Sequence, residues 1–236
     1  VTRRVRGSAL VFALLLGAVA LGEDWAKHYA DRVAAFEAEN KTLDARTKYV
    51  VLVGDSLFEG WTAARVKSFL PSIAARTLNR GIASDGVGLN DRGVLNRLDA
   101  SFLAGRASHA FLLIGVNDIG HDGRAIDATA RAYEKVVRSV HERSKATELV
   151  LVTLAPTAKR YKDMNPAIVR FNARLEDIAK ATSSTVLDLH ALVVDGSGAL
   201  PEAATTDGLH WKDEVYKVLG AEIERIVARS SARKGR

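Results

Sequence analysis

Tyr49-Val50-Val51-Leu52-Val53-Gly54-Asp55-Ser56-Leu57 is the stretch that decides the fold. Five consecutive apolar residues closed by a glycine predict a strand over Tyr49 to Val53 that is buried on both faces, as in a parallel sheet covered by helices. Asp55 and Ser56 then fall in the turn at the strand's carboxyl end, where open α/β sheets bind ligands. Phe111-Leu112-Leu113-Ile114-Gly115-Val116-Asn117-Asp118 repeats the pattern: four apolar residues, a glycine, and polar residues soon after. Asn117 should therefore stand beside Ser56.

Working outward, helical and strand patterns alternate along the chain, which argues for a parallel sheet with helices on both faces. Leu78-Asn79, Phe111 to Gly115, Leu149 to Leu154 and Val186 to Leu189 join the first strand to make five. Helices are expected over Trp61 to Leu70, where Pro71 closes the segment, and over Val87 to Leu98, Ile126 to Arg143, Pro166 to Ala181 and Trp211 to Ala228. Before the first strand, Trp25, Tyr29, Val33 and Phe36 recur at near-helical spacing, which gives an amphipathic helix whose apolar stripe packs on the domain.

Three side chains in this frame suit acyl chemistry. A serine hydroxyl is a weak nucleophile at neutral pH; it needs an imidazole to take its proton and an acid to hold that imidazole in the useful tautomer. Ser56, His210 and Asp207 can fill these roles, the last two from Asp207-Gly208-Leu209-His210. Taken alone, a serine after a strand also serves as a helix cap, and an Asp-x-x-His pair as a helix's first turn. Asn117 can donate its amide to an oxyanion or simply begin a turn.

Together these segments resemble the SGNH hydrolases of the GDSL esterase and lipase family, from about Tyr49 to about Leu219. Ser56 matches the nucleophile of the first block. Asn79-Arg80-Gly81-Ile82-Ala83-Ser84-Asp85 resembles the second, Asn117 matches the side-chain donor of the third, and Asp207 with His210 matches the acid and base of the last. The resemblance implies an α/β fold, a flavodoxin-like three-layer α/β/α sandwich with a central parallel sheet of about five strands. It also implies an oxyanion hole made by Ser56, Ser84 and Asn117. The family's usual glycine is replaced by Ser84, so any donation there must come from its backbone N–H, with a Cβ that restricts the backbone angles.

Other chemistries find less support. Phe58 stands where a nucleophile elbow needs its second glycine, and Gly86-Val87-Gly88 lacks the third glycine of a dinucleotide loop, having Asp91 there. No cysteine occurs, and the six histidines show no His-Glu-x-x-His spacing, so neither metal nor cofactor is expected. A chain of 236 residues, 47% hydrophobic, suits one substantial core. Its net charge of +6 is unevenly placed: Arg3, Arg4 and Arg6 precede an apolar segment, and six less these three leaves +3 without residues 1–20. Arg229, Arg233, Lys234 and Arg236 crowd the other end. No basic stripe interleaved with aromatics argues for a nucleic-acid partner.

Those three arginines, the apolar run Ala9 to Ala20 and the small residues of Ala18-Val19-Ala20 form the pattern of a secretory signal peptide, with an uncleaved membrane anchor as the alternative. The expected organisation is thus residues 1–20 for export or anchoring, 21–47 for the amphipathic helix and its connection, 48–229 for the hydrolase domain and 230–236 for a basic tail. The resemblance implies a serine esterase, and the N-terminal pattern implies export from the cytoplasm. Its substrate would be a small-molecule or glycan ester: an O-acetyl carbohydrate, another short-chain ester or a lysophospholipid. Acyl transfer to a glycan hydroxyl and non-catalytic envelope binding remain the other readings. Trp61, His121 and Trp211 can line the substrate pocket; the two tryptophans can equally be core, and His121 a solvated loop residue. The segment Thr157 to Asn165 is expected to cover the site.

Overall fold

The computed structural model describes residues 8–88, 92–103, 106–120 and 125–234. Five parallel strands, β1 (Tyr49–Gly54), β2 (Thr77–Gly81), β3 (Ala107–Leu113), β4 (Glu148–Val152) and β5 (Thr185–Leu187), form one sheet in the order β2-β1-β3-β4-β5. Every residue of β1 is buried, as the unbroken apolar run requires. The chain leaves β1 toward β2 on one side and returns to β3 on the other, so the order reverses between β1 and β3. A crevice opens at such a point beyond the carboxyl ends of the strands.

Helices cover both faces. One layer contains α3 (Ala63–Phe69) packed against α9 (Asp213–Lys234), which also meets α8 (Leu189–Val193). The opposite layer contains α4 (Leu98–Phe102), α6 (Ile126–Arg143) and α7 (Asn165–Thr182), in mutual contact. That division follows from right-handed crossovers on a sheet whose strand order reverses once. Two short helices, α2 (Ser56–Glu59) and α5 (Val116–Gly120), begin directly beyond β1 and β3. Val50 to Val53, Phe111 to Leu113 and Val150 to Val152 form the floor of the main core.

Helix α1 (Ser8–Thr42) precedes the sheet. The expected amphipathic helix is its second half: Phe36 packs with Ile82 and Ala100 in a satellite core, with Tyr29 and Val33 against it. Residues 8–20 continue the same helix, and residues 1–7 lie outside the described part. Among the described residues no helix is long and apolar enough to cross a membrane.

Three expected boundaries are corrected. Among the described residues no helix spans Val87 to Leu98: Val87 and Gly88 are not helical, and a 3-10 turn over Val94–Arg97 leads into α4. Gly88 and Gly93 have φ of +107° and +119°, and a Cβ on Gly93 would lie 2.3 Å from the Gly88 backbone, so the two turns cross where a regular helix cannot run. The closing helix begins at Asp213, because Trp211 forms a bridge with Thr205 instead. It also continues past Ala228, to Lys234.

Candidate active site

The nucleophile candidate stands where β1 gives way to α2. Asp55 is the N-cap of that helix, and its Oδ1 accepts the Leu57 N–H at 2.9 Å. The cap is fully buried. Burial pushes the Asp55 carboxyl up to about 8; the Leu57 N–H opposes the shift, nearby Asp85 and Asp118 add to it, and Arg97 works against it. Its second oxygen has no hydrogen-bond partner, which fits a protonated acid better than a carboxylate. Ser56, the next residue, is half-buried and turned to the crevice.

Residues 154 positions apart in sequence meet here: His210 Nε2 lies 3.1 Å from Ser56 Oγ, and His210 Nδ1 lies 2.9 Å from Asp207 Oδ2. With the proton on Nδ1, the ring donates to Asp207 and leaves Nε2 to accept from the serine. The other oxygen of Asp207 accepts the N–H groups of Leu209 and His210 at 2.9 and 2.8 Å. Partial burial works against the charge on Asp207. The His210 ring, these two N–H groups and the His210 charge outweigh it and hold the carboxyl well below the usual range.

The loop that presents this pair is closed locally. Thr205 Oγ1 donates to the His210 carbonyl at 2.7 Å and accepts the Gly208 N–H at 2.9 Å, while Thr206 N–H donates to the same carbonyl at 3.0 Å. Gly208 has a φ of +105°, and a Cβ there would lie 2.2 Å from the Ala158 carbonyl oxygen. That approach lets the Ala158 N–H donate to the Gly208 carbonyl at 2.8 Å, docking the loop on the segment after β4. The segment does reach the site. Arg160 lies 3.9 Å from Asp207 Oδ2, and Lys159 donates to the Thr206 carbonyl at 2.9 Å.

The oxyanion candidates come from the turns beyond β1, β2 and β3. The backbone N–H groups of Ser56 and Ser84 have no acceptor among the described residues. Asn117 Nδ2 donates to the Asp85 carbonyl at 2.8 Å, which fixes the amide while leaving its second N–H. Ser84 is exposed and has a φ of +59°, in the small left-handed region where glycine is at ease and a residue with a Cβ is not. The backbone shape that a glycine would take is thus kept by a serine.

Two residues that the sequence did not single out hold this side together. Arg97 and Asp85 form an ion pair of 2.7 Å with both side chains fully buried. The Arg97 guanidinium also donates to the carbonyls of Gly54 at 3.0 Å and Arg80 at 2.8 Å and to Ser101 Oγ at 2.6 Å, joining the ends of β1 and β2 to α4. Burial pushes the Asp85 carboxyl up in spite of Arg97. One signal was available: a charged residue inside the apolar context Val94-Leu95-Asn96-Arg97-Leu98.

The pocket roles open to Trp61 and Trp211 are corrected to core roles. Their side chains are 1% and 4% exposed, and both pack edge-on against Tyr216, at 5.3 and 5.4 Å between ring centroids. Tyr216, pushed up to about 12 by burial, donates its hydroxyl to the Leu57 carbonyl at 2.9 Å, so the cluster ties the start of α9 to the nucleophile's helix. A groove of about 900 Å³ along the β2 edge touches Trp61, but Ser56, Asp207 and His210 do not line it. His121 lies outside the described residues. Among the described residues no group of three or more His, Asp or Glu side chains is placed to hold a metal ion.

Comparison with known proteins identifies the family. Residues 52–218 match the model of the GDSL-like lipase/acylhydrolase family. A Streptococcus pneumonia protein provisionally described as a platelet activating factor superposes with a TM-score of 0.76 at 26% identity, over 89% of this chain and 98% of that one. A GDSL-like lipase from Bacteroides thetaiotaomicron (0.71, 22%, over 84% and 98%) and an acetylxylan esterase from Geobacillus stearothermophilus (0.58, 15%, over 75% and 93%) share the fold. The N-acylneuraminate cytidylyltransferase of Escherichia coli O18:K1:H7 is 24% identical over 179 residues, 75% of this chain; the chain spans only 40% of that enzyme's length. With residues 52–218, most of its length, matched, the chain belongs to the GDSL-like lipase/acylhydrolase family.

Proposed function

We propose that the protein is a serine esterase that removes short acyl groups, O-acetyl groups above all, from a carbohydrate or another small polar alcohol. The observation that carries this reading is the hydrogen-bonded chain Ser56–His210–Asp207, with links of 3.1 and 2.9 Å; the Ser56 and Ser84 N–H groups, without an acceptor among the described residues, and the Asn117 amide are the candidate oxyanion donors.

Ser56 Oγ attacks the ester carbonyl while His210 Nε2 takes its proton; Asp207 holds the ring and stabilises the imidazolium. The Ser56 and Ser84 N–H groups with Asn117 receive the negative charge on the tetrahedral oxygen, where each donor is worth about 3 to 4 kcal/mol. His210 then returns the proton to the departing alcohol. Water, activated by the same ring, attacks the acyl-Ser56 ester and releases the acid.

Preference for a polar alcohol rests on the open side of the site. The side chains of His210 and Asp207 are 47% and 31% exposed, and the alcohol must leave past them. Their surroundings are polar: Thr206, Lys159 and Arg160. A bulky hydrated group fits such a rim with little loss of solvation.

A series of p-nitrophenyl and glycosyl esters from acetyl to decanoyl tests the reading. kcat/KM is expected to be highest for acetyl and to fall by at least about tenfold, or 1.4 kcal/mol, by octanoyl. A rise with chain length would instead indicate a lipase. Acetylated product on an added glycan, in excess over free acetate, would indicate a transferase.

A further inference from the structure

We propose that Glu59 is a positioning residue for the oxyanion hole, and that helix α1 holds it in place through His28 and Arg32. The proposal rests on the assignment of the Ser84 N–H as an oxyanion donor.

Glu59 stands three residues after Ser56, at the end of α2, yet its side chain turns away from the serine and toward the loop after β2. There Glu59 Oε2 accepts the N–H of Ala83, the residue before Ser84. Its backbone is tied to the same strand, because Asn79 Nδ2 donates to the Glu59 carbonyl at 3.0 Å. The nucleophile's helix and the loop carrying the second N–H donor are thereby joined by one side chain. This matters because Ser84 has a φ of +59° without being glycine, a conformation that neighbouring contacts must hold. The Glu59 acceptor fixes the Ile82–Ala83 peptide, one residue before Ser84, and so restricts how the chain enters that conformation.

A carboxylate so near a developing oxyanion would raise the barrier if its charge were unopposed. Helix α1 supplies the opposition. His28 Nε2 lies 3.2 Å from Glu59 Oε2, and Arg32 Nε lies 3.7 Å from Oε1, with all three side chains about one-third exposed or less. Arg32 also donates to the Gly81 carbonyl at 2.9 Å, and Tyr29 donates its hydroxyl to the Gly93 carbonyl at 3.0 Å, so one face of the helix grips the oxyanion loop at both ends. These α1 residues lie outside the stretch that matches the family model, residues 52–218.

Steady-state kinetics on p-nitrophenyl acetate, with thermal melting of each full-length variant, tests the proposal. Glu59→Ala is expected to lower kcat by roughly 10- to 100-fold with KM within about twofold, the signature of donors displaced by a fraction of an ångström. Glu59→Gln keeps an oxygen for the Ala83 N–H and should restore kcat to within about threefold of wild type. The double variant His28→Ala with Arg32→Ala retains Glu59 but leaves its charge unopposed, and should lower kcat by about tenfold even if Glu59→Ala fails to fold. Unchanged kcat in folded Glu59→Ala, or an equal loss in Glu59→Gln, overturns the proposal, as does an unchanged kcat in the double variant. Ser56→Ala separates the two levels: if it is inactive while the Glu59 variants are silent, only the positioning role fails; if it is as active as wild type, the catalytic reading fails.

Discussion

The loop that carries Asp207 and His210 is closed by hydrogen bonds from Thr205 and Thr206 and anchored by the packing of Trp211 on Tyr216, whereas the loop that carries Ser84 is held by charge. On that second side, Asp85 and Arg97 are paired with no exposure, Asp55 is buried beside them, and Glu59 is held between the His28 ring and the Arg32 guanidinium of α1. The difference follows from what each side must do. His210 has only to point at Ser56, and a tight turn can aim it. Ser84 must stay in a backbone conformation that its Cβ disfavours, so its loop needs strong ties from several elements at once.

The largest effect expected from this contrast is on Arg97→Ala. It leaves Asp85 as an uncompensated buried charge and removes the guanidinium's bonds to the carbonyls of Gly54 and Arg80, which should cost about 3 to 5 kcal/mol in urea unfolding. A loss below about 1 kcal/mol would show that the charge cluster does not hold this side of the site.

A smaller effect should appear in the pH dependence of stability, with opposite signs for the two sides. The Asp55 carboxyl titrates near 3.9 when unfolded and at about 8 when folded. Between those values the folded protein keeps a proton that the unfolded chain has released, so stability falls as pH rises from about 4 to 8 and levels off above. Asp207 works the other way: its carboxyl is held down in the folded protein, so its contribution is present above the unfolded value and is lost as pH falls below it. Asp55→Asn keeps an oxygen for the Leu57 N–H and should make the decline in melting temperature between pH 5 and 8 shallower. An unaltered slope would remove Asp55 as its source.

The same contrast explains what could be read from the sequence. Ser56, Asn117, Asp207 and His210 were legible because each directly follows a strand or precedes a helix, and a parallel sheet gathers those positions at one edge. The central strands β1, β3 and β4 were legible because buried parallel strands are nearly continuous in apolar residues; the edge strands β2 and β5 carried a weaker signal. Arg97, Asp85 and Glu59 were not legible as a group, since a charged residue looks solvated until the fold shows its partner. Trp61 and Trp211 were ambiguous for a related reason: proximity to Ser56 and His210 in sequence does not say which way a ring turns, and both turn inward to Tyr216. The crossing of Gly88 over Gly93 replaced an expected helix because periodicity carries no information about backbones that touch.

The central claim is that Ser56 is the nucleophile, activated by His210. It is tested most directly by treating the folded protein with a fluorophosphonate and mapping the adduct by peptide mass spectrometry. One phosphonyl group on Ser56 is expected, lost in Ser56→Ala and slowed by at least about a thousandfold in His210→Ala. An adduct on another residue, or equal labelling of wild type and Ser56→Ala, would contradict the account.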